Sequence, residues 1–125
     1  MAKKKILIVD DEEDICTFSK SILEKTGRFE VAATTNSTQA IQLAKNFLPD
    51  LVVLDINMPE IDGGDIAQEL GKDAATKDIQ ILFVTGLLRK SEMPAGMIGK
   101  YHFIAKPVEP KNLIAEIDIL LSGSV

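Results

Sequence analysis

Apolar runs of three to six residues, one of them interrupted by a single polar residue, alternate along this chain with longer stretches in which apolar residues recur every three or four positions. A continuous apolar run is typical of a strand buried on both faces, as in a parallel sheet, whereas the longer period is typical of an amphipathic helix. Five runs indicate strands, the second more weakly than the others. They occupy residues 6–9, 31–33, 51–54, 79–84 (with one polar interruption) and 103–105.

A helix is expected after each run, and four of the five stretches show helical periodicity together with residues that commonly begin or end a helix. These residues are Gly27, Pro49 and Gly71 at three ends and Pro110 at the start of the last stretch. The fourth helix should lie in residues 87–100. That segment contains Pro94, Gly96 and Gly99, each of which opposes a helix interior, so the fourth helix is predicted to be short or irregular.

The alternation of five strands with five helices predicts the α/β class. Right-handed crossovers then place helices on both faces of a doubly wound parallel sheet. A chain of 125 residues has the usual size of one domain, so residues 1–125 are expected to form a single domain. In such a sheet, a ligand binds at the carboxyl ends of the strands, near the point where the strand order reverses.

Composition narrows the possible functions. The chain is 46% hydrophobic and 26% charged with a net charge of −5, and an acidic surface disfavours direct binding to nucleic acid. No apolar run approaches the roughly 20 residues of a membrane span, and no signal peptide is visible, so a cytoplasmic protein without membrane contact is expected. Cys16 and His102, the single residues of their kinds, are both expected to be structural, and one cysteine fits a reducing compartment.

Four of the five apolar runs are followed by residues that could carry chemistry. Asp10 and Asp11 follow the first run, and Asp55 follows the third. Thr85 follows the fourth run, and Lys106 follows the fifth. Because the carboxyl ends of parallel strands meet at one edge of a sheet, these side chains are expected to converge.

Three converging carboxylates need a compensating charge. Two unit charges ~4 Å apart repel each other by roughly 4 kcal/mol at an effective dielectric constant of about 20. A hard divalent cation that binds oxygen ligands would remove this repulsion, and Mg²⁺ is the cation that suits these ligands best. Lys106 adds one further positive charge. Phosphoryl transfer requires acids that hold a metal, a nucleophilic carboxylate, a hydroxyl and an ammonium.

Together these motifs resemble the response regulator receiver domains of two-component signalling, and the resemblance covers the whole chain. It rests on residues 6–11 (ILIVDD), 49–55 (PDLVVLD), 58–63 (MPEIDG), 84–86 (VTG) and 106–107 (KP). The resemblance implies a flavodoxin-like sheet with the strand order 2-1-3-4-5. It also implies a phosphorylation switch, with a sensor histidine kinase or phosphotransfer protein as donor and an unidentified downstream effector as recipient.

The resemblance assigns the acceptor and the metal ligands. Asp55 matches the phosphoacceptor position, and Asp11 matches a direct Mg²⁺ ligand. Asp10 matches a position that acts through water or supports the site. Asn57, two residues past the acceptor, matches the position whose backbone carbonyl binds the metal.

The resemblance also assigns the switch. Thr85 and Lys106 match the pair that contacts the phosphoryl oxygens, and the Lys106–Pro107 bond is expected to be cis. Phe103 matches an aromatic residue that moves inward when Thr85 turns towards the phosphoryl group. Two departures are visible: Gly86 stands where alanine is expected, and the interval from Thr85 to Lys106 is a residue short, which bears on the output surface rather than on the chemistry.

Other functions stay open at this point. A phosphatase with an aspartate nucleophile would need an acid where Asn57 stands, and turnover of a phosphomonoester would support it. An interaction module that is never phosphorylated would fail to bind Mg²⁺. A flavin or nucleotide binder is disfavoured because the loop after the first strand is acidic rather than glycine-rich. The domain is not expected to be an enzyme acting on a separate substrate, and it could stand alone or belong to a longer regulator or hybrid kinase.

Overall fold

The computed structural model describes residues 3–56, 58, 61, 63–86 and 101–122. Within them lie five strands, four α-helices and one short 3₁₀ turn, Ser37–Gln39. The strands are β1 (Lys4–Val9), β2 (Phe29–Thr34), β3 (Leu51–Asp55), β4 (Gln80–Thr85) and β5 (His102–Ala105). The helices are α1 (Glu13–Lys25), α2 (Ala40–Phe47), α3 (Gly63–Lys72) and α4 (Pro110–Leu121).

The strands form one parallel sheet in the order β2-β1-β3-β4-β5. This confirms both the predicted doubly wound fold and the strand order that the resemblance implied. The chain reverses direction across the sheet at β1, so a crevice opens at the carboxyl ends of β1 and β3. The helix predicted in residues 87–100 lies outside the described residues, and α4 corresponds to the predicted fifth helix.

The core has two layers because the central strands are buried on both faces. Successive side chains of a strand point to opposite faces. Ile6 and Ile8 of β1 therefore pack in one layer, which also holds Leu23 of α1 and Leu113 of α4. Leu7 and Val9 of β1 pack in the other layer, together with residues of α2 and α3. This double burial explains why β1 and β3 are continuous apolar runs in the sequence.

The ends of the helices follow local chemistry. Gly27, just after α1, has a φ of 74°, a conformation that glycine adopts without strain. Asn36 caps the 3₁₀ turn, because its Oδ1 accepts a hydrogen bond of 3.0 Å from the Thr38 N–H. Pro110 opens α4 as predicted, whereas α3 continues one residue beyond Gly71. Among the helices of the described residues, none combines the length and the apolar character needed to cross a membrane.

Candidate functional site

The register of the sheet brings the predicted site residues to one edge. The last matched pair of β1 and β3 directly precedes Asp10 on one strand and Asp55 on the other. The β4 residue paired with Asp55 directly precedes Thr85. Thr85 is in turn joined to the next loop, because its carbonyl accepts a hydrogen bond of 2.8 Å from the Lys106 N–H. Residues that are far apart in sequence thus lie at one edge of the sheet.

Three carboxylates form the acidic side of this crevice. Oxygens of Asp10, Asp11 and Asp55 all lie within 4.8 Å of one another. Asp10 and Asp55 are each 2% exposed, whereas Asp11 is exposed. Carboxylate oxygens with one side open to water are a donor set that suits Mg²⁺, which keeps several water ligands. The residues present therefore fit a magnesium ion.

Burial changes the proton affinity of the deepest acid. The loss of water around Asp10 raises the pKa of its carboxyl group. The Glu12 N–H, which donates to Asp10 Oδ1 at 2.9 Å, and the nearby Lys106 ammonium oppose this increase. A cation bound at the crevice would favour the same ionised form that these two groups favour.

Lys106 supplies the positive charge of the site and contacts three acids. Its Nζ lies 2.7 Å from Glu12 Oε1, 3.3 Å from Asp10 Oδ2 and 3.3 Å from Asp55 Oδ2. Burial by itself would lower the pKa of the ammonium. The hydrogen bond to Glu12 and the charges of Asp10 and Asp55 outweigh that effect and raise the pKa. Lys106 therefore stays protonated in the physiological range.

Glu12 is a member of the site that the sequence pattern did not single out. Residues 12–14 read as a solvated helix start, and Glu13 and Asp14 are indeed exposed in the first turn of α1. Glu12 differs, because its carboxylate makes the shortest of the three contacts to Lys106. The sequence held no local signal for this contact, since its partner lies 94 positions away.

Gly63, the first residue of α3, packs directly against the backbone that carries Asp55. Its N–H donates to the Ile56 carbonyl at 2.9 Å. A Cβ at this position would overlap the Asp55 carbonyl oxygen and lie 2.9 Å from Ile56 Cα. Glycine is thus required for the close approach of α3 to the end of β3.

Cys16 lies behind the acids as a buried thiol. It is 5% exposed, and its Sγ donates to the Asp10 carbonyl at 3.3 Å. Burial, followed by the negative charge of Asp10, raises the pKa of the thiol to about 11. The group is therefore protonated and inert at neutral pH, as expected of a packing residue.

The remaining predicted residues lie on the β5 side. Phe103 is partly buried and stacks on Phe83, with ring centroids 5.4 Å apart. His102 is exposed, and its Nδ1 lies 3.0 Å from Glu116 Oε2, so it links β5 to α4. The Lys106–Pro107 bond is cis, as the resemblance implied. The inward movement of Phe103 stays a prediction, and Asn57 lies outside the described residues.

Comparison with known proteins agrees with this geometry. The family model of the response regulator receiver domain matches residues 6–118. The protein described as "probable transcriptional regulator ycf27" of Guillardia theta is 37% identical over 120 residues, covering 95% of this chain and 46% of that protein. The response regulator SaeR of Staphylococcus aureus strain USA300 is 35% identical, with 94% of this chain and 50% of SaeR covered. The chain thus spans about half the length of these curated relatives.

Solved structures resemble the fold over nearly the whole chain. A response regulator from Desulfuromonas acetoxidans superposes with a TM-score of 0.84 at 29% identity, covering 95% of this chain and 97% of that one. The chemotaxis protein CheY4 of Vibrio cholerae gives a TM-score of 0.86 at 25% identity, with coverages of 96% and 100%.

Proposed function

Because the chain belongs to the response regulator receiver domain family, we propose that it is a two-component phosphorylation switch with Asp55 as the phosphoryl acceptor. The observation that carries this proposal is the position of Asp55. Its carboxylate lies at the end of a fully buried strand, between two other acids and the Lys106 ammonium. A nucleophile, oxygen ligands for a metal and a fixed positive charge thus lie together, as phosphoryl transfer requires.

Asp10, Asp11 and Asp55 would hold Mg²⁺, with the backbone carbonyl of Asn57 as a further ligand. When bound, Mg²⁺ supplies positive charge that offsets the charge on the oxygens of the transferring group. The three carboxylates lie close together, and the single charge of Lys106 offsets only part of their repulsion. We therefore propose that the site is incomplete for phosphoryl transfer until the metal binds.

Asp55 acts as the nucleophile. One carboxylate oxygen forms the bond to phosphorus while the bond from phosphorus to the donor nitrogen of a phosphohistidine breaks, and the electron pair stays with the imidazole. Lys106 offers its ammonium to the phosphoryl oxygens, and the hydroxyl of Thr85 donates a hydrogen bond to one of them. The pairing of Thr85 with Ala105, the residue directly before Lys106, supports these two roles.

The domain signals by a shift between two conformations rather than by turnover of a separate substrate. Rotation of Thr85 towards the phosphoryl group would open space for Phe103, which already packs on Phe83 of β4. The altered surface near β5 and α4 would then change the binding of a downstream effector. The donor would be a sensor histidine kinase or phosphotransfer protein in the cytoplasm, and the net charge of −5 argues against direct contact with nucleic acid.

The direct test is the intact mass of the protein after incubation with acetyl phosphate, with and without Mg²⁺. We expect the mass of one phosphoryl group to be added, only with Mg²⁺ and not in Asp55→Asn. Asp78→Asn is the matched control, because this exposed acid lies at the opposite end of the sheet, just before β4. A folded wild-type protein that never gains mass would contradict the proposal and favour an interaction module that is never phosphorylated.

Mg²⁺ binding can be measured independently of phosphorylation. A ligand that binds only the folded state raises the free energy of unfolding, by about 2.7 kcal/mol at 100 times its dissociation constant. We expect Asp11→Asn to lose most of this Mg²⁺-dependent stabilisation in urea denaturation. Asp14→Asn, an exposed acid in the first turn of α1, should keep it. If Mg²⁺ stabilised both variants equally, the metal would bind at a site that does not include Asp11.

A further inference from the structure

We propose that Glu12 is a positioning residue that holds the Lys106 ammonium before phosphorylation and gives it up to the phosphoryl group on Asp55. The inference rests on the proposed function and concerns the same site. Its starting point is that Glu12 makes the shortest contact to Lys106, at 2.7 Å, although Asp10 and Asp55 lie deeper in the crevice.

The ammonium of Lys106 has three N–H donors, and three carboxylates lie within reach of them. A phosphoryl group on Asp55 brings new oxygen acceptors of higher charge. Phosphorylation turns the Asp55 carboxylate into an uncharged ester, so the N–H that Asp55 accepted passes to the phosphoryl oxygens. Since Lys106 has no fourth donor, a second hydrogen bond to the phosphoryl group requires that the contact to Glu12 or to Asp10 lengthens or breaks.

Glu12 is the partner that can leave at the lowest cost. The side chains of Asp10 and Asp55 are 3% and 2% exposed, so neither can exchange the ammonium for water. The Glu12 side chain is 57% exposed and can turn into solvent, where its carboxylate is hydrated at once. Of the two carboxylates that phosphorylation leaves charged, Asp10 is therefore a fixed acceptor and Glu12 an exchangeable acceptor for the Lys106 ammonium.

The position of Glu12 at the start of α1 makes this exchange independent of the helix. A polar residue at the N-cap commonly accepts a hydrogen bond from a backbone N–H of the first turn. Glu12 makes no such side-chain bond, and its backbone carbonyl alone accepts from Ile15 and Cys16. Release of Lys106 by the Glu12 carboxylate therefore leaves α1 intact.

The competition lowers the affinity of the site for a phosphoryl group, because part of the gain from Lys106 is lost in breaking the Glu12 contact. Measured exposed ion pairs correspond to roughly two- to five-fold in an equilibrium constant. Glu12→Gln should therefore bind a phosphoryl mimic about two- to five-fold more tightly than wild type.

The experiment measures the affinity of the full chain for beryllofluoride, a mimic of the phosphoryl group, at saturating Mg²⁺ determined for each variant. Glu12→Gln removes the charge, and Glu12→Asp keeps the charge but shortens the side chain by one methylene. Glu13→Gln, the neighbouring exposed acid, controls for net charge alone. A ¹⁵N–¹H NMR signal of the Lys106 ammonium reports the contact directly, without reference to affinity.

We expect both Glu12 variants to bind beryllofluoride more tightly and to shift the Lys106 signal, while Glu13→Gln matches wild type in both. If wild type binds beryllofluoride and the Glu12 variants are indistinguishable from Glu13→Gln, Glu12 has no positioning role although the proposed function stands. If Glu12→Gln alone binds more tightly and Glu12→Asp does not, net charge and not the contact is responsible, and the inference is overturned. If wild type neither binds the mimic nor gains a phosphoryl group, the proposed function fails and this inference fails with it.

Discussion

Lys106 Nζ lies 3.3 Å from Asp55 Oδ2, across 51 positions of sequence and across the end of β4, which separates their two strands. The contact is possible because Lys106 leaves β5 one residue after the strand ends, with its N–H held by the carbonyl of Thr85. The Asp55 carboxylate is therefore paired with a cation that directly follows the edge strand of the sheet.

Removal of this charge should destabilise the protein when no metal is present. Lys106→Met would remove the cation that contacts two buried carboxylates, Asp10 and Asp55, and breaking buried ion pairs costs about 3–5 kcal/mol. We expect a loss near the lower end of this range in urea denaturation with EDTA, because one of the three partners is exposed.

Mg²⁺ should restore part of that loss and bind the variant more tightly than wild type, since a competing cation has been removed. Lys111→Met, an exposed lysine of α4, is the control and should change neither quantity. A Lys106→Met protein as stable as wild type in EDTA would show that the acids are protonated or hydrated instead.

Gly63→Ala should displace the backbone that carries Asp55. The added methyl group would overlap the Asp55 carbonyl, and forced overpacking costs about 1–3 kcal/mol. We expect lower stability together with slower phosphorylation by acetyl phosphate, because the strand end that carries Asp55 must shift.

Gly71→Ala gives a matched comparison. Nothing lies within 4 Å of a Cβ at this helical position, so the same substitution should stabilise the protein by roughly 0.5–1 kcal/mol. If the two alanine variants were equally stable, the close approach of α3 to Asp55 would have no energetic role.

Cys16 should make stability fall at alkaline pH. Its pKa is about 11 in the folded protein, against an ordinary value of 9.0, so the neutral thiol is favoured by folding. The contribution is complete below the unfolded pKa and is lost as the pH rises through the folded pKa. The difference in unfolding free energy between wild type and Cys16→Ser should therefore change between pH 9 and pH 11. A difference that is constant over this interval would show that the thiol titrates normally.

In Phe103→Ala, phosphorylation of Asp55 should have a smaller effect on the surface around β5. His102, the single histidine, sits beside Phe103 and contacts Glu116, so its NMR signal reports on this surface. In wild type, phosphorylation of Asp55 should shift the His102 signal, and in Phe103→Ala the shift should shrink while the phosphorylation rate stays similar. An equal shift in both proteins would exclude Phe103 as the link.

The sequence was most informative where burial on both faces forced a continuous apolar run. The runs of β1 and β3, together with the acids that follow them, are sufficient to locate the crevice from the sequence alone. Glu12 could not be found this way, because the sequence does not distinguish an acid that contacts another loop from an acid that is exposed to water. The close contact of Gly63 was equally hidden, since a helix-starting glycine does not reveal which backbone it touches.

The two strands beside the site, β3 and β5, differ in how many substitutions they are expected to tolerate. β3 is buried at every position, whereas β5 lies at the sheet edge with two of its four residues exposed. Substitutions beside Asp55 thus disturb both core layers, while those on β5 meet fewer neighbours. The proposed partner surface near β5 should therefore tolerate more substitutions than the strand that carries Asp55, so partner choice could change without loss of the proposed phosphorylation site.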